Sequence, residues 1–566
     1  MMGTDILHAA DFERRTTSAI HNVSALCTSL ANIDARTHPS LTLLVLDAIS
    51  NETCSIMDVA ELTRQSHLDL NYQQAADVSF QRLHAFMGQL NSNPLLYRKL
   101  VDIFEDNAVF RALTEEEQIF ITDMIREFES VGINIENNNQ KHKIMTLLST
   151  VAELESNYMQ RAYADDGSYL LGPIEDTSLL TSLQTFLSSQ SLPPNDQNHD
   201  VPPGYVRCLT RSSATSLLLS HLPDEKLRRA VYIESTSSPN ENMAYLGGLV
   251  RSRYQLAKAS GHSSHAHKVL EHRILKSPEK VWDFLEEISL KNRPQYEKEI
   301  ELLAPYASSF LSSSALAPWN ISFLIGRYRE SKELSCNSAA TRIMSYFSLN
   351  QCLKGLQMVT FELFQISVFE SPVQPNEAWG WETGSPSSVG MKKFELHHAS
   401  CGLLGTCSVY SVFTQLMPRI GTIYMDLFHR PRKINQAAHL TIQTGCVNTR
   451  SVLRPDFSHS RERQLPIVAL LLNFHSPFSS STQSKPCLSL KDLETLYHEW
   501  GHALHSLLSH TTFQHLSGTR GGVDYVEIPS HLFEHFSREP SVVASWARHV
   551  TSGARIPSGV PLQTLQ

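Results

Sequence analysis

The sequence predicts a mainly α-helical protein with a small β-sheet, and three observations carry that prediction. Apolar residues recur at three- and four-residue spacing through the first 350 residues. Two continuous apolar runs follow, at 422–427 and 466–474, of the kind that forms strands buried on both faces. A helical period then resumes from Leu488.

At 566 residues the chain exceeds what one compact core requires, so two or more lobes are expected. The division expected is a helical N-terminal lobe over residues 1–350 and a second lobe over 351–566, which carries the motif described below. Apolar residues make up 41% and charged residues 19%, an ordinary soluble composition. No apolar run approaches the ~18 residues of a membrane span. Lys and Arg total 48 against 57 Asp and Glu, and no long basic block is present. A partner with a phosphate backbone is therefore not expected. The oligomeric state is not legible. Nine cysteines, odd in number and without a C-x-x-C pair, fit free thiols in a reducing compartment.

Near the N-terminus, Arg14, Arg15, Thr16, Thr17 and Ser18 are interrupted by Asp5, Asp11 and Glu13, so no convincing transit peptide or secretory signal is read there. The helical half is illustrated by Val281, Phe284, Leu285, Ile288 and Leu290. Its clearest interruption is the stretch 188–204, where Pro193, Pro194, Pro202 and Pro203 stand among polar residues and mark a loop. After the two strand-like runs, a Ser-rich loop at 476–486 leads into the next helix.

That helix contains His498-Glu499-Trp500-Gly501-His502, an H-E-x-x-H motif. Histidines four apart share one helix face, so both imidazoles can reach one zinc ion at about 2.0–2.1 Å. Glu499 falls beside the remaining coordination position, where it can act as general base toward a water. Leu493, Leu496, Trp500, Leu504 and Leu507 form an apolar stripe on the opposite side, so one face packs while the other presents ligands.

A catalytic zinc takes three protein ligands. His505 fails as the third, because seven residues place it about 10.5 Å along the axis from His498. The alternative is a carboxylate from a following helix, and Glu527 offers one. Pro529 belongs in a first helical turn, which sets Glu527 near a helix start. The segment 517–522, with Gly518, Gly521 and Gly522, allows the chain to reverse; it reads equally as a plain connection or as a channel lining. Glu534 lies one heptad after Glu527 on the same face, placed to support a ligand histidine or, as is commoner for a helix-surface Glu, to be solvated. His439, Tyr424 and His515 are assigned no role.

These residues, with Ser517-Gly518-Thr519-Arg520 and Asp524-Tyr525-Val526-Glu527-Ile528-Pro529-Ser530, closely resemble the thimet oligopeptidase family of metallopeptidases. Within it, residues 421–428, Glu534-His535-Phe536 and Trp546-Ala547-Arg548-His549 resemble the members that process imported mitochondrial precursors. The resemblance implies a two-lobed, zincin-like fold with a deep channel that admits peptides or unfolded precursors. It implies removal of N-terminal octapeptides after a first presequence cleavage, in the mitochondrial matrix. Residue by residue, it implies one zinc ion on His498, His502 and Glu527, with Glu499 as base. Residues 383–418, including Cys401-Gly402-Leu403-Leu404-Gly405, do not resemble the family and are expected to disturb the sheet. Family members continue past the position of Gln566 through helices whose His and Tyr residues contact substrate. A C-terminally truncated catalytic lobe with reduced turnover is therefore expected, such contacts being worth about 10²–10³ in rate.

Overall fold

A computed structural model describes residues 8–164, 168–187, 201–209, 213–237, 240–311, 316–333, 343–374, 377–379, 390–398, 418–430, 432–447, 463–474 and 487–557. The chain forms two compact units, one of Met1–Asn134 with Ala340–Gln566 and one of Ile135–Ala339. The helical half before residue 350 is thus shared between them.

The first unit opens with six helices: α1 (Asp11–Ala31), α2 (Pro39–Ser66), α3 (Leu70–Leu90), α4 (Pro94–Glu105), α5 (Asn107–Ala112) and α6 (Glu115–Ser130). Their starts follow the local sequence. Asp69, Asn93 and Asp106 accept backbone N–H groups at α3, α4 and α5, and Thr114 with Glu117 closes a capping box on α6. Leu26, Leu30, Leu46, Leu100, Phe120 and Phe128 interlock in one core, which also takes Phe513 from far along the chain.

The helices of the second unit are α7 (Asn138–Ala164), α8 (Thr177–Leu187), α9 (Ser213–His221), α10 (Glu225–Thr236), α11 (Asn240–Ala259), α12 (His265–Leu270), α13 (Pro278–Phe310) and α14 (Pro318–Glu333), with a small antiparallel pair β1 (Ser168–Leu171) and β2 (Val206–Leu209). One core gathers Leu171, Leu183, Val206, Leu218 and Val231; a smaller one joins Leu303 and Ala307 to Phe323 and Leu324. The apolar residues read on α13 do lie on a helix, but Phe284, Leu285, Ile288 and Leu290 stay exposed. Of the predicted loop 188–204, residues 188–200 lie outside the described residues, and 201–204 turn into β2.

Returning to the first unit, the chain adds α15 (Leu349–Phe364) and the strands β3 (Ile366–Ser371), β4 (Met391–His398), β5 (Arg419–Phe428), β6 (Ala438–Gln443), β7 (Cys446–Val447), β8 (Arg463–Gln464) and β9 (Ile467–Phe474). Five strands form one sheet in the order β3-β4-β5-β9-β6, with β5 and β9 parallel and the other neighbours antiparallel. The sheet is covered on both faces. Ile423, Met425, Leu427, Val468, Leu470 and Leu472 face the core shared with α15 and the helix after the sheet. Tyr424, Ala469 and Leu471 face Val59 and Leu62 of α2 and Ala76 of α3. Alternate side chains thus enter two different cores, which is why β5 and β9 read as unbroken apolar runs.

The sheet is larger than the two strands expected. Residues 391–398, inside the atypical segment 383–418, do not disturb it: they form β4 and pair with β3 and β5. Apart from residues 390 and 418, which flank the strands, the rest of that segment, 383–389 and 399–417, lies outside the described residues, as does the Ser-rich loop 476–486. The last helices are α16 (Leu490–Leu508), α17 (Ile528–Arg538) and α18 (Pro540–Trp546). Among the described residues no disulfide forms, and no helix is long and apolar enough to cross a membrane.

Candidate metal centre

The H-E-x-x-H motif lies in the middle of α16, and the start of that helix is fixed locally. Ser489 Oγ accepts the Asp492 N–H (3.1 Å) while Asp492 Oδ2 accepts the Ser489 N–H (3.1 Å), a reciprocal cap. Leu493, Leu496, Trp500, Leu504 and Leu507 are buried, as the stripe required. Trp500 also donates its indole N–H to Thr360 Oγ1 on α15 at 2.9 Å, which fixes the rotation of α16 about its axis.

After α16 the chain reverses through two short 3₁₀ turns, Gln514–Leu516 and Gly518–Arg520. Gly518 has φ +56°, and a Cβ there would stand 2.8 Å from Ser506 Cα. The reversal brings α17 against α16. Glu527 is the residue immediately before α17, with Pro529 in the first turn. Gly501 is the point of closest approach, since a Cβ on it would stand 2.7 Å from Pro529 O and from Ser530 Cα.

This packing carries Glu527 to the two imidazoles. Its Oε2 lies 3.0 Å from His502 Nε2 and 3.4 Å from His498 Nε2. The two rings stand 4.9 Å apart, inclined at 81°. One ligand atom from each residue falls within a 4.8 Å group. A tetrahedral ion with bonds of about 2.0–2.1 Å holds its donors roughly 3.3–3.4 Å apart, so two imidazoles and a carboxylate at these separations fit a small divalent cation. His505, rejected on distance, turns instead to Tyr525.

Two of the three donors are oriented from behind. Ser530 Oγ, fully buried, donates to Glu527 Oε2 at 2.8 Å. Glu534 Oε1 takes His498 Nδ1 at 2.7 Å and His531 Nδ1 at 2.9 Å, while Arg538 lies 3.8 Å from its Oε2 and 2.7 Å from Glu494. Glu534 is therefore no solvated surface carboxylate. It sets the His498 tautomer with Nδ1–H donating outward and Nε2 free toward Glu527. His498, His531 and Glu534 form a second three-donor group.

Charge is arranged accordingly. Burial lowers His502, which keeps its ring neutral and able to donate a lone pair, against the pull of the Glu527 carboxylate. Although burial opposes it, Glu527 is held below the usual carboxylate range by the Ser530 hydrogen bond and the two imidazoles. Burial, with the Glu527 charge adding, pushes Glu499 up to about 7. Glu499 Oε2 and His502 Nδ1 are buried without a hydrogen-bond partner among the described residues.

His439 carries no local signal of a role, yet it lies beside this centre. On edge strand β6, its ring lies 5.9 Å from that of His502, and its Nε2 is 3.2 Å from Ser506 Oγ. Burial, then the charges of His502 and His505, holds it at about 3. Only the β6–β9 pairing brings it there, and no local pattern signals that.

A helix bearing H-E-x-x-H, answered by a glutamate at the start of the next helix, is the arrangement of a metallopeptidase. The chain belongs to a family of these enzymes: residues 218–563 match peptidase family M3. Among its relatives is the mitochondrial intermediate peptidase of Arabidopsis thaliana, 28% identical over 98% of this chain and 73% of the relative. The mitochondrial intermediate peptidase of Mycosarcoma maydis is 27% identical over 90% and 63%, and that of Schizosaccharomyces pombe 28% over 93% and 66%. The chain thus spans 63–73% of the length of these relatives.

Proposed function

We propose that this chain is a zinc-dependent endopeptidase that removes N-terminal octapeptides from imported precursor proteins in the mitochondrial matrix, after a first presequence cleavage. His498, His502 and Glu527 hold one zinc ion and Glu499 is the general base. The observation that carries this reading is the convergence of His498 Nε2, His502 Nε2 and Glu527 Oε2 beside Glu499. The precursor specificity rests on the names of the relatives, which are called mitochondrial intermediate peptidases.

Bound at these donors, zinc would polarise a peptide carbonyl and lower the pKa of a water toward about 7. The protein does the rest. Glu499 stands one residue from His498 on the same helix, with Oε2 free of any hydrogen-bond partner among the described residues, and takes the water's proton. It then returns that proton to the leaving amine. Ser530 and Glu534 hold Glu527 and His498 in orientation.

The test couples metal analysis to cleavage of an octapeptide-bearing precursor and of generic short peptides. The unaltered chain should hold one zinc and cleave the precursor, and Glu499→Gln should keep the zinc while losing about 10²–10⁴ in turnover. Undiminished turnover in Glu499→Gln would remove the base assignment. Equal cleavage of both substrate classes would replace the precursor specificity with that of a broad oligopeptidase.

A further inference from the structure

A cavity of about 670 Å³ opens in the first unit beside the metal centre. It is walled by α2, α3, α6, strand β6 and the reversal after α16. His439 belongs to its lining, so the cavity begins one ring away from His502. Three carboxylates line it, Asp58, Glu61 and Glu127, against one guanidinium, Arg520. Arg520 is consumed by Asp58 at 2.5 Å. Glu61 meets Arg64 through Oε2 at 2.6 Å and accepts the Gln65 amide through Oε1, and Glu127, half exposed, touches His515 through Oε1 at 3.3 Å.

An independent feature points the same way. Gln514, wholly buried, lines the cavity; its amide nitrogen donates to Ser50, but its Oε1 meets no donor among the described residues. A buried carbonyl oxygen without a donor is unfavourable, and a ligand N–H would satisfy it. The wall is also held in place: buried Asp47 accepts the backbone N–H groups of Gln514 (3.0 Å) and His515 (3.2 Å).

An excess of carboxylates together with an unused acceptor selects a cation that carries several N–H donors. We propose that this cavity is the subsite for an arginine or lysine side chain of the peptide, with Glu127 and Glu61 supplying the charge and Gln514 an acceptor. The proposal deepens the peptidase reading and rests on it. It suits a precursor substrate, because mitochondrial targeting segments are rich in arginine and poor in acidic residues.

The experiment uses the full chain and one fluorogenic peptide scanned with arginine, norleucine or glutamate at each position. kcat/KM is read on the zinc-loaded chain, and the Kd of the same peptides is read by fluorescence anisotropy on Glu499→Gln. At one position arginine should be favoured over norleucine by at least about fivefold in both measurements, the value of one partly screened ion pair. Glu127→Gln, conservative and half exposed, should reduce that ratio, as should Glu61→Gln, and Glu127→Lys should shift the preference toward glutamate. Cleavage with no arginine preference, or a preference that survives both glutamine variants, overturns the subsite and leaves the peptidase reading standing. A Glu127-dependent preference in binding, without turnover, supports the subsite and overturns the peptidase reading.

Discussion

Gly501 and Pro529 touch backbone to backbone: a single methyl group on Gly501 would stand 2.7 Å from the Pro529 carbonyl oxygen. This contact decides the separation of α16 and α17, and therefore how far Glu527 reaches toward His498 and His502. Gly501→Ala must push α17 away, since Ser530 Cα is equally near and neither atom belongs to a flexible side chain. The expected result is a loss of about 1–3 kcal/mol in stability, typical of overpacking, with weaker metal binding. Thermal unfolding and zinc titration against a competing chelator measure the two effects. Unchanged affinity would mean that Glu527 is not placed by this contact.

Glu534 supports a different donor. It accepts from His498 Nδ1 at 2.7 Å and is itself held by His531. Glu534→Gln keeps the shape but removes the charge that favours the Nδ1–H tautomer. Zinc affinity should fall about 10–100-fold with the fold intact, the usual consequence of losing a partner behind a ligand histidine. Because His531 also leans on Glu534, His531→Ala should cost much less. Titration of both variants ranks them, and a reversed order would contradict the role given to Glu534.

Much of this centre was legible because it is local. The i, i+4 histidines and the stripe behind them lie within one helix, and a helical period exposes such patterns. Strands β5 and β9 were legible for a related reason, since both faces are buried and their sequences are apolar throughout. Strand β4 was not: its Lys392 and Lys393 pair with Glu370 and Glu377, so a half-buried strand reads as a charged loop. The grouping of α1–α6 with the metal centre was equally hidden. It depends on contacts such as Asp47 with Gln514, more than four hundred residues apart in sequence, and no periodicity encodes them. The Glu534–His498 bond, 36 residues apart, is set by how α17 packs on α16.

His67 makes the first unit sensitive to acid. At the end of α2 its ring stacks on Tyr72 at 4.2 Å, and its Nδ1 accepts the Asp69 N–H at 3.0 Å. Burial pushes it down to about 4, whereas an unfolded histidine titrates near 6.5. Between these values the unfolded chain binds the extra proton, so stability is complete above about pH 6.5 and falls as the pH drops toward 4. At pH 5 the loss is about 1–2 kcal/mol after allowance for partial exposure. His67→Phe keeps the stack and removes the titration, so its stability should fall less between pH 7 and pH 5. Denaturant unfolding at the two pH values measures this, and parallel losses in both proteins would refute it.

In the second unit the vulnerable group is Arg228, whose guanidinium is completely buried. It donates to Asn320 Oδ1 through Nε (3.2 Å) and Nη2 (2.7 Å), and to the carbonyls of Leu222 (2.7 Å) and Pro223 (2.9 Å), and it lies 4.0 Å from the centre of the Phe323 ring. Burial lowers its pKa, with Glu225 and Asp224 opposing the shift. Asn320→Leu removes the acceptor of two N–H groups while the charge stays inside, which should cost about 2–4 kcal/mol. Arg228→Met removes the charge itself and refills much of the space, so it should cost about 1 kcal/mol or less. The asymmetry is the test: deleting the smaller, neutral partner should do more damage than deleting the cation. Hydrogen exchange at the Val231 amide, on the buried face of α10, reports the unit without interference from the metal centre. Equal loss of protection in the two variants would show that the cost lies in packing and not in the stranded charge.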